Sequence, residues 1–338
     1  MPRTTMAEIT KITDEALTRA ADLLRAGGIV AFPTETVYGL GADATNGAGV
    51  ARVFDAKGRP SFNPLIAHVA DMPMAERYGV FDETARHLAS LFWPGPLTLV
   101  VPHRADSAIH PLVTAGNETV ALRVPTGPVQ ALARLIDKPI AAPSANRSGH
   151  ISATTAQDVA DDLGEAVPLI LDGGPTAIGL ESTIIGVEKG TLRLLRPGGL
   201  AVEQIAAKSG MPVATLRPAE AHDDANPAAA PGMLTSHYAP SMPVRLHANR
   251  VATDEAYLTF HGKMASGAEE CRLVIDLSPK GNLVEAAAGL FSAMRRIDES
   301  GASAMAVAPI PQTGLGLAIN DRLKRAAAPR NTMDARHG

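Results

Sequence analysis

The sequence predicts an α/β protein of two domains, and three observations lead to that class. The chain has 338 residues, about twice a typical domain of ~150 residues. Hydrophobic residues make up 46% and charged residues 20%, while aromatic residues make up 4%, so we expect a globular protein with an aliphatic, alanine-rich core. Short apolar runs alternate with amphipathic helical patterns along most of the chain, which favours sheets covered by helices.

The first predicted element is a helix over residues 13 to 27, because Thr13 can cap its start and apolar residues recur on one face. Short apolar strands are then predicted at Ile29 to Phe32, Leu65 to Val69, Leu97 to Val101, Val120 to Val124, Ile140 to Ala142, Leu169 to Leu171, Thr183 to Val187 and Leu192 to Leu195. Helical patterns separate several of these strands, at Glu83 to Phe92, Val129 to Ile136 and Thr155 to Leu163.

A linker is predicted at residues 208 to 243, where six prolines and a run of alanines leave no sustained periodicity. It divides a domain of residues 1 to 207 from a smaller α/β domain of residues 244 to 338. In the smaller domain we expect strands at Tyr257 to Phe260, Leu273 to Leu277 and Ala304 to Ala308, and helices at Leu283 to Asp298 and Leu317 to Ala327.

Composition and missing motifs exclude several functional classes. The formal net charge of −4 argues against binding to nucleic acid by bulk positive charge. The single cysteine, Cys271, excludes an intrachain disulfide and a cysteine-based zinc site, and no run approaches the ~18 apolar residues of a membrane span. We expect a soluble cytoplasmic protein without a membrane partner. Gly314 and Gly316 lack the third glycine of a dinucleotide fingerprint, which favours a helix-entry turn there.

A basic turn at residues 57 to 64 is the first candidate site. Lys57 and Arg59 stand two residues apart at a predicted helix end, with the amide of Asn63 four residues further on. A bare Lys-x-Arg pair is normally a solvated turn. Here one glycine and two prolines fix the backbone, which lowers the cost of holding two cations together and favours an anion site.

Polar residues at strand ends are the second candidate. Ser144 and Asn146 follow an apolar strand, where hydroxyl and amide groups suit nucleotide recognition, although a simple turn explains them equally well. The hydroxyls of the Pro-Thr-Glu-Thr stretch that begins at Pro33 could likewise contact a polar substrate or merely close a turn. Arg123 lies inside an apolar strand, so it must meet a carboxylate either of the protein or of a ligand.

Taken in order, these segments closely resemble the YrdC-like family, in the two-domain form that threonylcarbamoyl-AMP synthases have. The resemblance covers roughly residues 13 to 200 and rests on the segments GGIVAFPTETVYGLGADA, KGRPSFNPL, FWPGPLTLVV, VALRVP, AAPSANRSG, LILDGG, ESTII and LRPGG. Residues 236 to 240 resemble the linker of the two-domain form, and residues 314 to 323 resemble the end of its second domain. The resemblance implies a twisted mixed sheet with helices on its faces and a smaller Rossmann-like second domain.

The activity implied by the resemblance is that of a nucleotidyltransferase. It would join L-threonine, bicarbonate and ATP into threonylcarbamoyl-adenylate and release pyrophosphate, with Mg²⁺ carried by the ATP phosphates and no metal site of its own. The product would pass to a tRNA threonylcarbamoyl transferase complex, which modifies the adenosine beside the anticodon of ANN-decoding tRNAs. Direct tRNA binding would be weak.

The resemblance also implies roles for individual residues. The threonine pocket would consist of Thr36, His68, Arg123, the Ala142 backbone and Ser182, with Arg123 paired to the substrate carboxylate. Lys57 and Arg59 would be the catalytic cations. The ATP site would comprise Arg59, Asn63, Thr119, Ser144, Asn146, Ser152, Arg196 and Tyr238, with Tyr238 closing over the nucleotide from the linker. Composition alone favours a spacer over a lid for that linker.

Two other functions are considered. A binding module for double-stranded RNA or tRNA would use the basic turns without chemistry, and it would show a steep salt dependence. A carbamoyl transferase of hydrogenase maturation shares the first domain, but it needs zinc-finger cysteines, and this chain has one cysteine in total. Pyrophosphate release that depends on both threonine and bicarbonate would separate the synthase from the RNA-binding module.

Overall fold

A computed structural model describes residues 7–60, 62–215 and 238–329. The chain separates into two compact units. The first comprises Met1–Ser148 and Ser152–Met233, and the second comprises Gly149–Ile151 and Leu234–Gly338. The short stretch Gly149–Ile151 belongs to the second unit because the Ala239 N–H donates to Gly149 O at 2.8 Å and Arg295 Nη2 donates to Ile151 O at 2.7 Å.

The first unit is built on one mixed sheet. Its strands in the described residues are β1 (Glu8–Lys11), β2 (Val30–Pro33), β3 (Tyr38–Asp43), β4 (Ile66–His68), β5 (Leu97–Pro102), β6 (Thr119–Arg123), β7 (Ile140–Ala141), β8 (Leu169–Asp172), β9 (Thr183–Glu188), β10 (Thr191–Arg196) and β11 (Val213–Thr215). Their order is β1-β8-β2-β3-β7-β4-β6-β5-β9-β10-β11. Parallel pairs such as β4 with β6 adjoin antiparallel pairs such as β4 with β7, which confirms the expected mixed sheet.

Helices cover this sheet. They are α1 (Asp14–Arg25), α2 (Gly47–Lys57), α3 (Met72–Glu76), α4 (Glu83–Phe92), α5 (Pro111–Thr114), α6 (Pro128–Ile136), α7 (Ala156–Leu163) and α8 (Val202–Ser209), with a 3₁₀ turn at Gly164–Ala166. All of these α-helices but α6 and α8 begin at a residue whose side chain caps the helix. Thr13 caps α1 by accepting the Ala16 N–H at 3.1 Å, and Thr155 forms a capping box with Asp158 at the start of α7.

The core of the first unit is aliphatic and rich in alanine, as its composition predicts. One cluster of fully buried side chains packs Val53 of α2 and Val159 of α7 against Leu40 of β3 and Ile170 of β8. Alanines fill much of the remaining space in that cluster, and Tyr38 is its aromatic member. The close packing of α2 against β3 matters for function because it fixes the position of Lys57, the last residue of α2.

The second unit is smaller and has a parallel sheet. Its strands are β12 (Val244–Arg245), β13 (Ala256–Thr259), β14 (Leu273–Asp276) and β15 (Met305–Val307), and its helices are α9 (Leu283–Asp298) and α10 (Leu315–Ala326). The strand order is β12-β15-β13-β14, and every pair is parallel among the described residues. Helix α9 connects β14 to β15 across β13, which is the crossover expected of a Rossmann-like domain. Gly314 is the N-cap of α10, so the expected helix-entry turn is confirmed.

Strand β3 is absent from the sequence prediction, and its glycines explain why. Gly39 and Gly41 lower the strand propensity of this segment. In the fold they are needed, because a Cβ on Gly41 would lie 2.5 Å from a ring carbon of Phe32 and 2.7 Å from Cγ2 of Ile140. The neighbouring side chains therefore leave no room for a Cβ at Gly41, which explains why a residue of low strand propensity occupies this strand.

The beginning of the predicted linker also differs from the structure. Helix α8 ends at Ser209, inside the stretch assigned to the linker, and β11 follows at Val213–Thr215. This short strand is formed by parallel pairing with β10, a long-range interaction that local composition does not encode. Residues 216 to 237, which hold most of the predicted linker, lie outside the described residues.

Candidate active site

The central strands β4, β6 and β7 bring two buried ionisable side chains together. In the parallel pairing of β4 with β6, His68 lies opposite Arg123, and on its other side His68 pairs with Ile140 of β7. His68 is 4% exposed and Arg123 is 3% exposed. Sheet register therefore makes neighbours of two residues that are far apart in the chain.

The Arg123 guanidinium is held on three sides. Nε donates to Gly95 O at 3.1 Å, Nη1 donates to Thr36 Oγ1 at 3.1 Å, and Nη2 lies 2.8 Å from a carboxylate oxygen of Glu35. The sequence left open whether this arginine meets a carboxylate of the protein or of a ligand. In the structure the carboxylate is that of Glu35, a residue to which the sequence analysis gave no role.

His68 is uncharged at neutral pH. Burial, and after it the positive charge of Arg123, lower the pKa of His68 from 6.5 to about 3. Its Nδ1 lies 3.3 Å from Ile140 O, a carbonyl that can only accept a hydrogen bond, so Nδ1 carries the proton and Nε2 has a free lone pair. A neutral imidazole with one acceptor nitrogen can receive a hydrogen bond from a hydroxyl or an amine.

Ser182, immediately before β9, and Arg196, the last residue of β10, form a second buried pair. Arg196 Nη2 donates to Ser182 O at 2.9 Å and to Ser182 Oγ at 3.2 Å. The Ser182 hydroxyl also lies 2.7 Å from Thr98 Oγ1. Resemblance placed Ser182 with threonine and Arg196 with ATP, and the two residues are direct neighbours in the fold. Thr98 was missed, although a single hydroxyl inside the apolar strand β5 could have drawn attention to it.

Lys57 is the buried cation at the end of α2. Its Nζ donates to Ser144 O at 2.6 Å and also to Asn146 O. Burial, and then the charge of Arg59, hold the pKa of Lys57 well below its ordinary value. Gly58 ends the helix in the left-handed region at φ 58°, which turns the chain so that Arg59 follows immediately. The two cations of the Lys-x-Arg segment are thus inside the protein and are not a solvated turn.

Asn63 lies beside these cations with its amide unused. Arg59 Nη2 donates to Pro64 O at 3.0 Å and lies 3.5 Å from Asn63 O, which orders the loop. The Asn63 side chain is fully buried, and neither its amide nitrogen nor its amide oxygen has a hydrogen-bond partner among residues 7–60, 62–215 and 238–329. A buried amide in this condition is costly, and it fits a site that a polar ligand completes.

The end of β7 connects the two groups. The Ala142 N–H donates to Ile66 O at 3.0 Å, on the same strand as His68, and Ser144, two residues further on, forms an isolated bridge with Gly39. Asn146 is fully buried, and its side chain donates to Arg147 O at 2.7 Å. The pair of His68 and Arg123 therefore lies at the first residue of β7, Ile140, and the Lys57 contacts lie just beyond its last residue, so this two-residue strand connects the two groups.

Three predicted residues lie apart from these contacts. Ser152 is fully buried in the first unit and donates to the Glu181 carboxylate. Thr119 begins β6 four residues before Arg123, which places it roughly 13 Å along the strand. Tyr238 belongs to the second unit, where it stacks on Phe291 with 5.7 Å between ring centroids, and its expected contact with the nucleotide stays a prediction.

Within residues 7–60, 62–215 and 238–329, no group of three or more His, Cys, Asp or Glu side chains could hold a metal ion. No helix in this part of the chain combines the length and the apolar character needed to cross a membrane.

Comparison with known proteins identifies the family of this chain. The family described as "Telomere recombination" matches residues 22–198, and the family described as "Threonylcarbamoyl-AMP synthase, C-terminal domain" matches residues 200–328. A threonylcarbamoyl-AMP synthase of Bacillus subtilis is 42% identical over 332 residues, covering 94% of this chain and 94% of its own length. One from Pyrococcus abyssi is 40% identical over 324 residues, covering 92% and 94%.

A solved structure is also similar over nearly the whole chain. It is a crystal structure of Pyrococcus abyssi Sua5 complexed with L-threonine, with a TM-score of 0.84, 36% sequence identity, and coverage of 95% of this chain and 97% of that one. The likeness extends through both units and includes the fold on which the buried cations and hydroxyls are placed. This chain therefore belongs to the threonylcarbamoyl-AMP synthase family, in its two-domain form.

Proposed function

We propose that this protein joins L-threonine, bicarbonate and ATP into L-threonylcarbamoyl-adenylate and releases pyrophosphate. The observation that carries the proposal is that the short strand β7 has the buried Arg123 and neutral His68 beside its first residue, Ile140, and the buried Lys57 at Ser144, just beyond its last residue. An amino-acid carboxylate and a triphosphate both need such cations, and the uncharged histidine suits a hydroxyl or an amine.

Threonine would bind on the β4 and β6 side. Arg123 would take its carboxylate, since a guanidinium can bind a carboxylate through two parallel N–H groups. The side chain of Thr36 and the acceptor nitrogen of His68 would bind the polar groups of the substrate, and the Ala142 backbone and Ser182 hydroxyl would complete the pocket. Because these groups are buried, each substrate hydrogen bond would form away from competing water.

ATP would bind on the Lys57 side. The phosphates would meet Lys57 and Arg59, and the negative charge would favour the protonated form of a lysine whose pKa burial has lowered. The unused amide of Asn63 would bond to the nucleotide, and the other contacts would come from Thr119, Ser144, Asn146, Ser152, Arg196 and Tyr238. Mg²⁺ would arrive on the phosphates as part of the nucleotide substrate, where it would neutralise charge.

The reaction needs positioning and charge more than a protein nucleophile. The threonine nitrogen forms a bond to the carbon of bicarbonate, and water leaves to give a carbamate. A carbamate oxygen then bonds to the α-phosphorus, and the bond between that phosphorus and the oxygen bridging to the β-phosphorus breaks, so pyrophosphate departs. Lys57 and Arg59 would stabilise the negative charge that develops on the phosphoryl oxygens.

Later steps belong to other proteins. The adenylate is a reactive mixed anhydride, so it must be passed to an enzyme that transfers the threonylcarbamoyl group to tRNA. We place both steps in the cytoplasm, because a chain with one cysteine has no intrachain disulfide to maintain. This protein itself would contact tRNA only weakly.

Pyrophosphate release tests the proposed function. The protein is incubated with ATP and Mg²⁺, and threonine and bicarbonate are omitted one at a time. We expect release only when both are present, and Arg123→Lys should lower it because an ammonium cannot bind a carboxylate in the same two-point geometry. Pyrophosphate release that persists without threonine or without bicarbonate would contradict the proposal. If no pyrophosphate is released and the protein binds double-stranded RNA with a steep salt dependence, the RNA-binding alternative would be favoured.

A further inference from the structure

We propose that Glu35 is a positioning residue that sets the Arg123 guanidinium for the amino-acid carboxylate. This inference rests on the proposed function, because it gives a role to a residue beside the threonine pocket. Glu35 lies in the loop between β2 and β3, and its carboxylate lies 2.8 Å from Arg123 Nη2. No sequence pattern assigned it a task.

The first reason is the burial of the Arg123 charge. Arg123 is the last residue of β6, its side chain is 3% exposed, and its neighbours Leu122 and Val124 are buried apolar residues. A guanidinium in such surroundings needs a nearby negative charge. Glu35 supplies it with a side chain that is 12% exposed, so the protein's own residues balance the Arg123 charge.

The second reason is the alignment of this ion pair. Although 2.8 Å separates them, Arg123 Nη2 and Glu35 Oε1 do not form a hydrogen bond with each other, and neither atom has another hydrogen-bond partner in the described part of the chain. The contact is therefore an ion pair without hydrogen-bond alignment. The N–H groups of Nη2 thus keep donor capacity for the carboxylate of a ligand.

The third reason is that Glu35 is itself fixed. Its Oε2 accepts the Thr126 N–H at 3.1 Å, and its backbone oxygen accepts the Ile178 N–H at 2.9 Å. The same loop is closed by Thr34 Oγ1, which accepts the Thr36 N–H at 3.1 Å. One rigid loop therefore carries two of the three groups that surround Arg123, namely Thr36 and Glu35.

The competing explanation is that Glu35 binds the substrate ammonium directly. The two roles differ in what they do to substrate analogues. A positioning residue acts through Arg123, so its loss weakens every ligand that has the carboxylate. An ammonium-binding residue acts on the amine, so its loss spares a ligand that has only the carboxylate.

The experiment measures inhibition of threonine-dependent pyrophosphate release by two analogues. One is (3R)-3-hydroxybutanoate, which lacks the amine, and the other is L-threoninol, which lacks the carboxylate. Glu35→Gln removes the charge but keeps an oxygen that can accept from Thr126. We expect it to raise the KM for threonine and the inhibition constant of hydroxybutanoate by a similar factor, about tenfold or more. The inhibition constant of threoninol and the KM for ATP should stay the same.

Matched variants make the outcome specific. Glu76→Gln removes the carboxylate of an exposed pair with Arg86 and should change none of these constants. Glu35→Asp keeps the negative charge on a shorter side chain, so it should recover part of the affinity for threonine and hydroxybutanoate that Glu35→Gln loses. If Glu35→Gln does not fold, the same analogue test is made with Glu35→Asp. Unchanged hydroxybutanoate inhibition in the Glu35 variants would overturn the inference. Failure of the wild-type protein to use threonine would instead reject the proposed function.

Discussion

Replacement of His68 should change how the stability of the first unit depends on pH. His68 has a pKa of about 3 in the folded protein, lowered from 6.5 mainly by burial and then by Arg123. Well above pH 6.5 the His68 side chain is neutral in both the folded and the unfolded protein, so it does not make the free energy of unfolding depend on pH. Below pH 6.5 the unfolded chain takes up a proton that the folded protein does not, so stability falls as the pH falls towards 3.

The size of this effect follows from the shift. At 1.36 kcal/mol per pKa unit, the difference between 6.5 and about 3 corresponds to about 5 kcal/mol in full. Between pH 7.5 and pH 4.5, about two of these units are lost, or about 2.7 kcal/mol of the free energy of unfolding. This is a large part of the stability of a typical domain.

Urea unfolding followed by tryptophan fluorescence measures this quantity. Trp93 is the single tryptophan and lies in the first unit, so it reports on that unit. The free energy of unfolding is determined at pH 7.5 and pH 4.5 for the wild type, for His68→Gln and for His87→Gln, which changes an exposed histidine. We expect the loss on acidification to be about 2.7 kcal/mol smaller in His68→Gln and unchanged in His87→Gln. Equal losses in all three proteins would refute the argument.

Three further variants probe the other buried polar groups. Lys57→Met should reduce the rate of pyrophosphate release by about 10²–10³, the usual effect of removing one preorganised donor, and steady-state kinetics measure it. Asn63→Leu should raise the KM for ATP about tenfold without lowering the melting temperature, because the buried amide has no hydrogen bond to lose in the described structure. Arg322→Leu should destabilise the second unit by about 3 kcal/mol, seen as faster hydrogen exchange in α10, because Arg322 is fully buried over Tyr238 and paired with Asp321.

Periodicity predicted several of the regular elements of the fold. The prediction gave the bounds of α4 and α9 as they are in the structure, because each has a continuous apolar face. It failed where pairing with a distant strand decides the structure. Strand β1 (Glu8–Lys11) is short and largely polar and exists through its parallel pairing with β8 at the sheet edge, and β11 forms in the same way beside β10.

For the active site, the sequence identified the residue types but not all the partners. Lys57 and Ser144 were both singled out, and the structure joins them through a hydrogen bond. The strand arginine, Arg123, had to meet a carboxylate, yet nothing local could identify Glu35 as that group. The neutral state of His68 was also beyond the sequence, since it follows from burial and from the register that places Arg123 beside it.

The buried polar groups of the site have a common explanation in ligand binding. Lys57 has a pKa that burial lowers, Asn63 has an amide without a partner in the described chain, and Arg123 faces a carboxylate with which it is not aligned. Each of these deficits reduces the stability of the empty protein. Each also corresponds to a group of the proposed substrates, namely a phosphate, a polar atom of the nucleotide and the threonine carboxylate. The protein thus keeps donors and charges in place before the substrates arrive, which lowers the reorganisation needed when the carbamate oxygen attacks phosphorus.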